Sequence, residues 1–331
     1  MKAQEMIFEN LIANSGFLDL PADETLDLKK AIHELKREKN AIILGHYYIT
    51  PELQDISDFV GDSLGLSQNA AGTSSDIIVF LGVYFMAETA KILNPQKKVL
   101  IPDIKASCSL AESAPVEEFA KFKDKFSGHK VISYINCTAE IKALSDVICT
   151  SSNAVRIVES FGKDEKLIFA PDKNLGNYIN SLTGRKMVLW DGACMVHEKY
   201  SLERILELKD QFPDAKFIAH PECEKPLLVI ADFIGSTTAL LKYTMNDNSS
   251  RYIVATESGI LHQMRKFSPA KEFIPAPSTD ASCACNDCTY MKLNTLQKLY
   301  FTLKFEKPEI SLDKDLMDRA RKPILRMLEL S

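Results

Sequence analysis

The chain has 331 residues, of which 46% are hydrophobic and 26% charged, with a formal net charge of −5. A chain of this size can bury a large core, arranged as two or three compact units, and its acidic balance excludes the basic footprint of a nucleic-acid-binding protein. The most apolar run, "IIVFLGVYFMA" at 77–87, is far shorter than the ~20 residues that span a bilayer, and the opening "MKAQEMIFEN" has no apolar signal core. The expectation is a cytoplasmic protein with neither a nucleic-acid nor a membrane partner.

In chain order, "ETLDLKKAIHELKREKN" sets Leu28, Ile32 and Leu35 on one helical face. Strand-like runs follow at "AIILG", "DIIVFLG" and "KKVLIPD". A second series reads "VISYIN", "DVICTS", "KLIFAPD" and "KMVLWDG", and a third reads "KFIAHPE", "DFIGSTT", "YIVATES" and "EFIPAP". Short β-branched runs alternating with helical patterns predict an α/β fold with parallel sheets. The polar residues where strands run out test whether the series are repeats. Ser63, Ser151 and Thr237 each lie 17 residues after His46, Tyr134 and His220. Cys108, Cys194 and the cluster Cys283, Cys285 and Cys288 each follow the last strand of a series. Three α/β units are expected, over 1–107, 108–193 and 194–288, with 289–331 forming C-terminal helices that pack back on the first unit. The segment "ISLDKDLMDRARKPILRMLEL" reads as a packing helix with Leu312, Leu316 and Ala320 in step until Pro323 disturbs it.

Ligands of such sheets bind beyond the carboxyl ends of the strands. If the three units face one another, their strand ends enclose one site holding three thiols, two histidines, several hydroxyls and Glu222. Eight cysteines in a reducing compartment favour metal or catalysis over disulfides. Cys137, Cys149 and Cys223, each in or beside a strand-like run, read as small buried hydrophobes. Three remaining thiol positions with no fourth do not make a closed zinc site. A cubane cluster held by three thiolates would instead leave one iron with an open position, a Lewis acid for a hydroxyl or carboxylate.

Ser63, Ser151, Ser236 and Thr237 fall where strands hand over to helices, so their hydroxyls suit carboxylate or phosphate. "HPE" pairs His220 with Glu222, "GHYY" pairs His46 with Tyr48, and "SYIN" pairs Tyr134 with Asn136, each on one side of an extended segment. Glu222, Tyr48, His46 and Tyr134 are the groups expected to handle protons. There is no G-x-G-x-x-G after a strand, no Walker A loop and no H-E-x-x-H helix. The residues alone lead to an α/β protein with a three-thiol metal or cluster site for small anions.

"GHYY", "SYIN", "HPEC", "GSTT", "WDGACMVHE" and "RMLEL", in this order, resemble the quinolinate synthase (NadA) family from about residue 25 to the end. The resemblance implies three similar α/β/α units with short parallel sheets around a pseudo-threefold axis, and a 4Fe–4S cluster held by three cysteines. It implies condensation of iminoaspartate with dihydroxyacetone phosphate, losing phosphate and water, to give quinolinate for NAD, with L-aspartate oxidase as a candidate supplier of the imine. It also implies a pocket lined by His46, Ser63, Tyr134, Asn136, Ser151, His220, Glu222, Ser236 and Thr237, with Tyr48 in proton transfer and Cys108 and Cys194 as cluster ligands. Cys288 is the expected third ligand, because it directly precedes the helix-like "TYMKLNTLQKLYFTL", where a helix N-terminus would favour thiolate. The family's C-x-x-C-x-x-C run is C-x-C-x-x-C here, so its redox pairing does not carry over. Two other readings stand beside the synthase: a noncatalytic iron–sulfur sensor, and a three-cysteine cluster hydro-lyase acting on a carboxylic acid.

Overall fold

The computed structural model describes residues 2–21, 23–279 and 286–331. Cys283 and Cys285 lie outside them. The chain begins with α1 (Lys2–Ser15) and α2 (Leu28–Glu38), the latter capped by the Asp27 carboxylate on the Lys30 N–H. The first unit continues as β1 (Ala41–His46), α3 (Pro51–Ile56), β2 (Phe59–Gly61), α4 (Ser63–Gly72), β3 (Ile77–Leu81), α5 (Tyr84–Leu93) and β4 (Lys98–Leu100). The second runs α6 (Ser109–Glu112), α7 (Val116–Lys125), β5 (Lys130–Tyr134), α8 (Ala139–Ala143), β6 (Val147–Cys149), α9 (Ala154–Glu159), β7 (Leu167–Ala170), α10 (Lys173–Thr183) and β8 (Val188–Leu189). After a 3₁₀ turn at His197–Lys199 the third runs α11 (Leu202–Gln211), β9 (Lys216–Ala219), α12 (Lys225–Ile230), β10 (Phe233–Ile234), α13 (Thr237–Asn246), β11 (Arg251–Ala255), α14 (Ile260–Phe267) and β12 (Glu272–Pro275). A second 3₁₀ turn at Met291–Leu293 leads to α15 (Leu296–Phe305) and α16 (Lys314–Glu329).

Each unit holds one four-stranded, all-parallel sheet, ordered β2-β1-β3-β4, β6-β5-β7-β8 and β10-β9-β11-β12. The α/β expectation with three similar units therefore holds. The strands β3 and β7 are buried along their whole length, as parallel strands covered on both faces must be. The first series gains a strand that hydrophobic patterning missed, the edge strand β2, with Phe59 and Val60 half-buried and Gly61 buried.

Register explains the 17-residue interval. His46 pairs with Gly61, Tyr134 with Cys149 and Ala219 with Ile234, each 15 residues apart. Ser63, Ser151 and Thr237 are thus equivalent positions just past the second strand of each sheet. One further repeat was not read from the sequence. Asp58, Asp146 and Asp232 accept the backbone N–H of Ile43, Val131 and Phe217 at 2.8, 2.8 and 2.7 Å. Their own N–H groups bond the carbonyls of the same three residues. A carboxylate thus closes the open end of each edge pairing, satisfying a strand N–H that the short edge strand cannot reach.

The chain divides into two compact bodies, Met1–Cys108 with Thr289–Asp318, and Ser109–Cys288 with Arg319–Ser331. In the first, α15 packs on α2, Glu306 bridges Lys39 and Lys98, and Lys298 pairs with the buried Asp103 at 2.6 Å. In the second, Phe119, Val131, Ile141 and Ile168 centre the core of one sheet, and Phe217, Ile205, Ile253 and Leu227 that of the other. The last helix differs from expectation. It starts at Lys314, beyond Leu312, and carries Pro323 inside it on a buried face with Ala320, Ile324 and Met327. Burial of the ring offsets the one helical hydrogen bond that proline forgoes. Among the described residues no helix is long and apolar enough to cross a membrane.

Candidate functional site

The strand ends at His46 and His220 share one local geometry. In the first body the Tyr48 N–H donates to His46 Nδ1 at 3.2 Å, the Ile49 N–H donates to the His46 carbonyl, and the two rings meet edge-on at 4.5 Å. In the second body the Glu222 N–H donates to His220 Nδ1 at 3.3 Å and the Cys223 N–H to the His220 carbonyl. The paired residues therefore meet through a tight turn past the strand end, not along an extended segment. Tyr48, Asn136 and Glu222 occupy equivalent positions, two residues beyond His46, Tyr134 and His220. The Asn136 Oδ1 is buried without a hydrogen-bond partner, an acceptor open to a bound molecule.

In the second body these residues join into one buried chain. Tyr134 donates its hydroxyl to Glu222 Oε1 at 2.5 Å, and His220 Nε2 lies 3.1 Å from Ser151 Oγ. His220 Nδ1 is 3.7 Å from Glu222 Oε1. Next to them Ser152 Oγ donates to Ser236 Oγ at 2.8 Å, and Ser236 in turn caps α13, whose first residue is Thr237. Glu222 is 3% exposed. Burial alone would raise its pKa, but the imidazoles of His197 and His220 and the Tyr134 hydroxyl together outweigh burial and hold it at about 2. The carboxylate is thus kept ionised in a dry setting.

His197 is the residue sequence reasoning missed. It sits in the 3₁₀ turn, 2% exposed, with Nδ1 3.1 Å from Glu222 Oε2, though the ring is turned off the ideal hydrogen-bond line, and Nε2 3.1 Å from Thr256 Oγ1. Its ring stacks on that of His220 with centroids 4.9 Å apart. The signal was present in "CMVH", a Cys and a His at the three-residue spacing that one helical turn brings together.

Ligand atoms of Cys194, His197 and Glu222 lie within 4.8 Å of one another, a group able to hold a metal. Cys108, Cys194 and Cys288 are half-buried on loops after β4, β8 and β12. They stand eight residues before Val116, Leu202 and Leu296, the first residues of α7, α11 and α15, with a short helical turn between. Cys283 and Cys285 do not share that interval. Cys288 does not directly precede a long helix as expected; the 3₁₀ turn intervenes, as it does after Cys194. Cys137, Cys149 and Cys223 are wholly buried, and burial pushes the thiols of Cys149 and Cys223 well above the usual range. Such thiols stay protonated and do not compete as ligands. The donor set at Cys194, soft sulfur with the Glu222 carboxylate and the His197 imidazole alongside, fits an iron–sulfur group.

In the first body Ser63 is the half-buried first residue of α4, which Asp62 caps on the Gly65 N–H at 3.0 Å. Lys292 donates to the Tyr48 carbonyl at 2.8 Å, so the segment after the cysteine loop ties to the turn that carries His46 and Tyr48.

A family model described as Quinolinate synthetase A protein matches residues 30–329. A quinolinate synthase of Synechocystis sp. is 61% identical over 313 residues, 94% of this chain and 98% of its own length. One of Thermosynechococcus vestitus is 60% identical over 306 residues, covering 92% of this chain and 96% of its own length. A third, of Synechococcus sp., is 58% identical over 321 residues, with coverage of 97% and 99%.

Proposed function

The chain belongs to the quinolinate synthetase A family, a family of enzymes, and on that premise we propose that it condenses iminoaspartate with dihydroxyacetone phosphate. Phosphate and water are lost, and the quinolinate formed enters de novo NAD biosynthesis in the cytoplasm. The imine, short-lived in water, comes from an L-aspartate oxidase. Beyond the family match, the observation that carries this reading is the buried Ser151–His220–Glu222–Tyr134 chain. A sensor that used the same thiols would have no need of it. A hydro-lyase acting on a carboxylic acid would share the thiols but not the family match over nearly the whole chain.

Cys108, Cys194 and Cys288 would hold a 4Fe–4S cluster whose fourth iron supplies a Lewis acid for a departing hydroxyl. Glu222, kept ionised, takes a proton from the condensing carbon skeleton, and the Tyr134 hydroxyl bonded to it returns one to a leaving oxygen. His46 and Tyr48 serve as further donors. Ser63, Ser151, Ser236 and Thr237 hold the carboxylates and phosphate, aided by the N-terminal N–H groups of α4 and α13. Asn136 and His220 orient the skeleton. The functional units on this reading are 1–107, 108–193 and 194–288, followed by the C-terminal helices of 289–331, of which the stretch from Arg319 belongs to the second body.

Anaerobically purified protein is expected to carry the visible absorption of a 4Fe–4S cluster and to form quinolinate only with both substrates present. Cys288→Ser removes the cluster, whereas Cys283→Ser and Cys285→Ser retain it. Iron-free protein with full turnover, or a full active cluster in Cys288→Ser, would overturn these assignments.

A further inference from the structure

The three cysteine loops are held at equivalent places by the loop after the third strand of each sheet. Leu81, Ala170 and Ala255 are register equivalents, pairing with Gly45, Ser133 and Ala219. Three residues later, the Tyr84 N–H donates to the Ala106 carbonyl at 2.6 Å and the Lys173 N–H to the Gly192 carbonyl at 2.8 Å. Ala106 and Gly192 each lie two residues before a cysteine, Cys108 and Cys194. The approach is close: a Cβ at Gly192 would stand 2.5 Å from the Pro171 carbonyl oxygen.

In the third unit a side chain enters this place. Glu257, two residues past Ala255, is wholly buried. Its Oε1 accepts the Cys288 N–H at 3.1 Å, while its Oε2 accepts the Gly259 N–H of its own loop at 2.7 Å. Its neighbour Ser258, equivalent to Tyr84 and Lys173, bonds Asp287 through its hydroxyl. One carboxylate therefore links the end of the sheet to the backbone of the cysteine residue itself, and both of its oxygens are engaged. The stretch before Cys288 is the longest of the three cysteine loops, with twelve residues between Pro275 and Cys288, against seven between Leu100 and Cys108 and four between Leu189 and Cys194.

We infer that Glu257 is a positioning residue that fixes Cys288 for cluster binding, a role that rests on the reading of Cys288 as a ligand. Full-length protein is purified anaerobically, reconstituted with iron and sulfide, and exposed to a chelator while iron release and the spectrum of the reduced cluster are followed. Partners that orient a metal ligand typically change metal affinity ~10–100-fold, so Glu257→Ala should release iron about that much faster, with a shifted spectrum of the reduced cluster. Glu257→Gln should fall between, because its amide oxygen can accept from Cys288 while its NH₂ then faces the Gly259 N–H. The Gln variant, equal in size, decides the matter if the Ala variant does not fold. Wild-type release in both folded variants, or lowered stability of the cluster-free protein with unchanged release, would overturn the role of Glu257. A Cys288→Ser protein that keeps its full iron would instead overturn the ligand assignment beneath it.

Discussion

The second and third α/β units share one backbone plan and differ in what they attach to it. Both order their strands in the same way, both keep a 15-residue register between their first two strands, and both close that pairing with an aspartate. At the strand end, however, one carries Tyr134 and Asn136 and the other His220 and Glu222. Each unit then completes the other: the hydroxyl of Tyr134 serves Glu222, and the hydroxyl of Ser151 meets His220. Repetition supplies equivalent places, and divergence at those places supplies complementary donors and acceptors.

The largest test of that complementarity is Glu222→Gln. If the carboxylate is the proton acceptor, turnover falls about 10²–10⁴-fold, the usual contribution of a positioned base, while the cluster spectrum stays. Steady-state rates near wild type would reduce Glu222 to a structural partner of Tyr134. The shared backbone plan is tested next by Asp146→Ala and Asp232→Ala. Each leaves a strand N–H, of Val131 or Phe217, without its acceptor and should cost about 1–3 kcal/mol in urea unfolding. Equal losses support equivalence, and a loss at one site only would break it.

Ser151→Ala and Thr237→Ala probe the two hydroxyl positions of equal register. Each should weaken substrate or product binding by about 1–2 kcal/mol, read from KM or product affinity, with the fold intact. Untouched affinity in both would leave the register match without a functional meaning. The smallest effect is expected from Lys130→Ala and Lys209→Ala. These lysines sit 3.1 and 3.3 Å from the same two aspartates, but on the surface. Exposed pairs contribute less than about 1 kcal/mol, so both variants should unfold almost like wild type. A loss matching that of the aspartate variants would mean that the ion pair, not the strand N–H, is what those carboxylates serve.

Much of this was legible in the linear chain because it rests on period and interval. The alternation of short apolar runs with helical patterns announces parallel sheets, and a constant spacing from His46, Tyr134 and His220 announces repetition. The strand β2 escaped although its "DFVGDS" matches the "DFIGST" of β10, a likeness between units that a run-by-run reading does not use. His197 and Glu257 escaped for another reason. Their partners Glu222 and Cys288 lie 25 and 31 residues away in sequence, and no local pattern marks which carboxylate will meet which imidazole or N–H. The aspartates at 58, 146 and 232 are a middle case: their interval to Ile43, Val131 and Phe217 is constant, but the reason for it is a hydrogen bond that only the paired strands reveal.

By itself the sequence determined the α/β class, the threefold repetition, the family, and the residue types available at each strand end, since these follow from side-chain periodicity and motif order. Only the tertiary structure decided that Glu222 stands between Tyr134, His220 and His197, that its carboxylate is held ionised, and that Glu257 grips the backbone of Cys288. The first two depend on the packing of strand ends from separate sheets to within about 3 Å hydrogen-bond distance, and the third on a loop that returns to the end of its own sheet. Burial then makes each such contact obligatory, because a polar group removed from water must find its partner inside the protein.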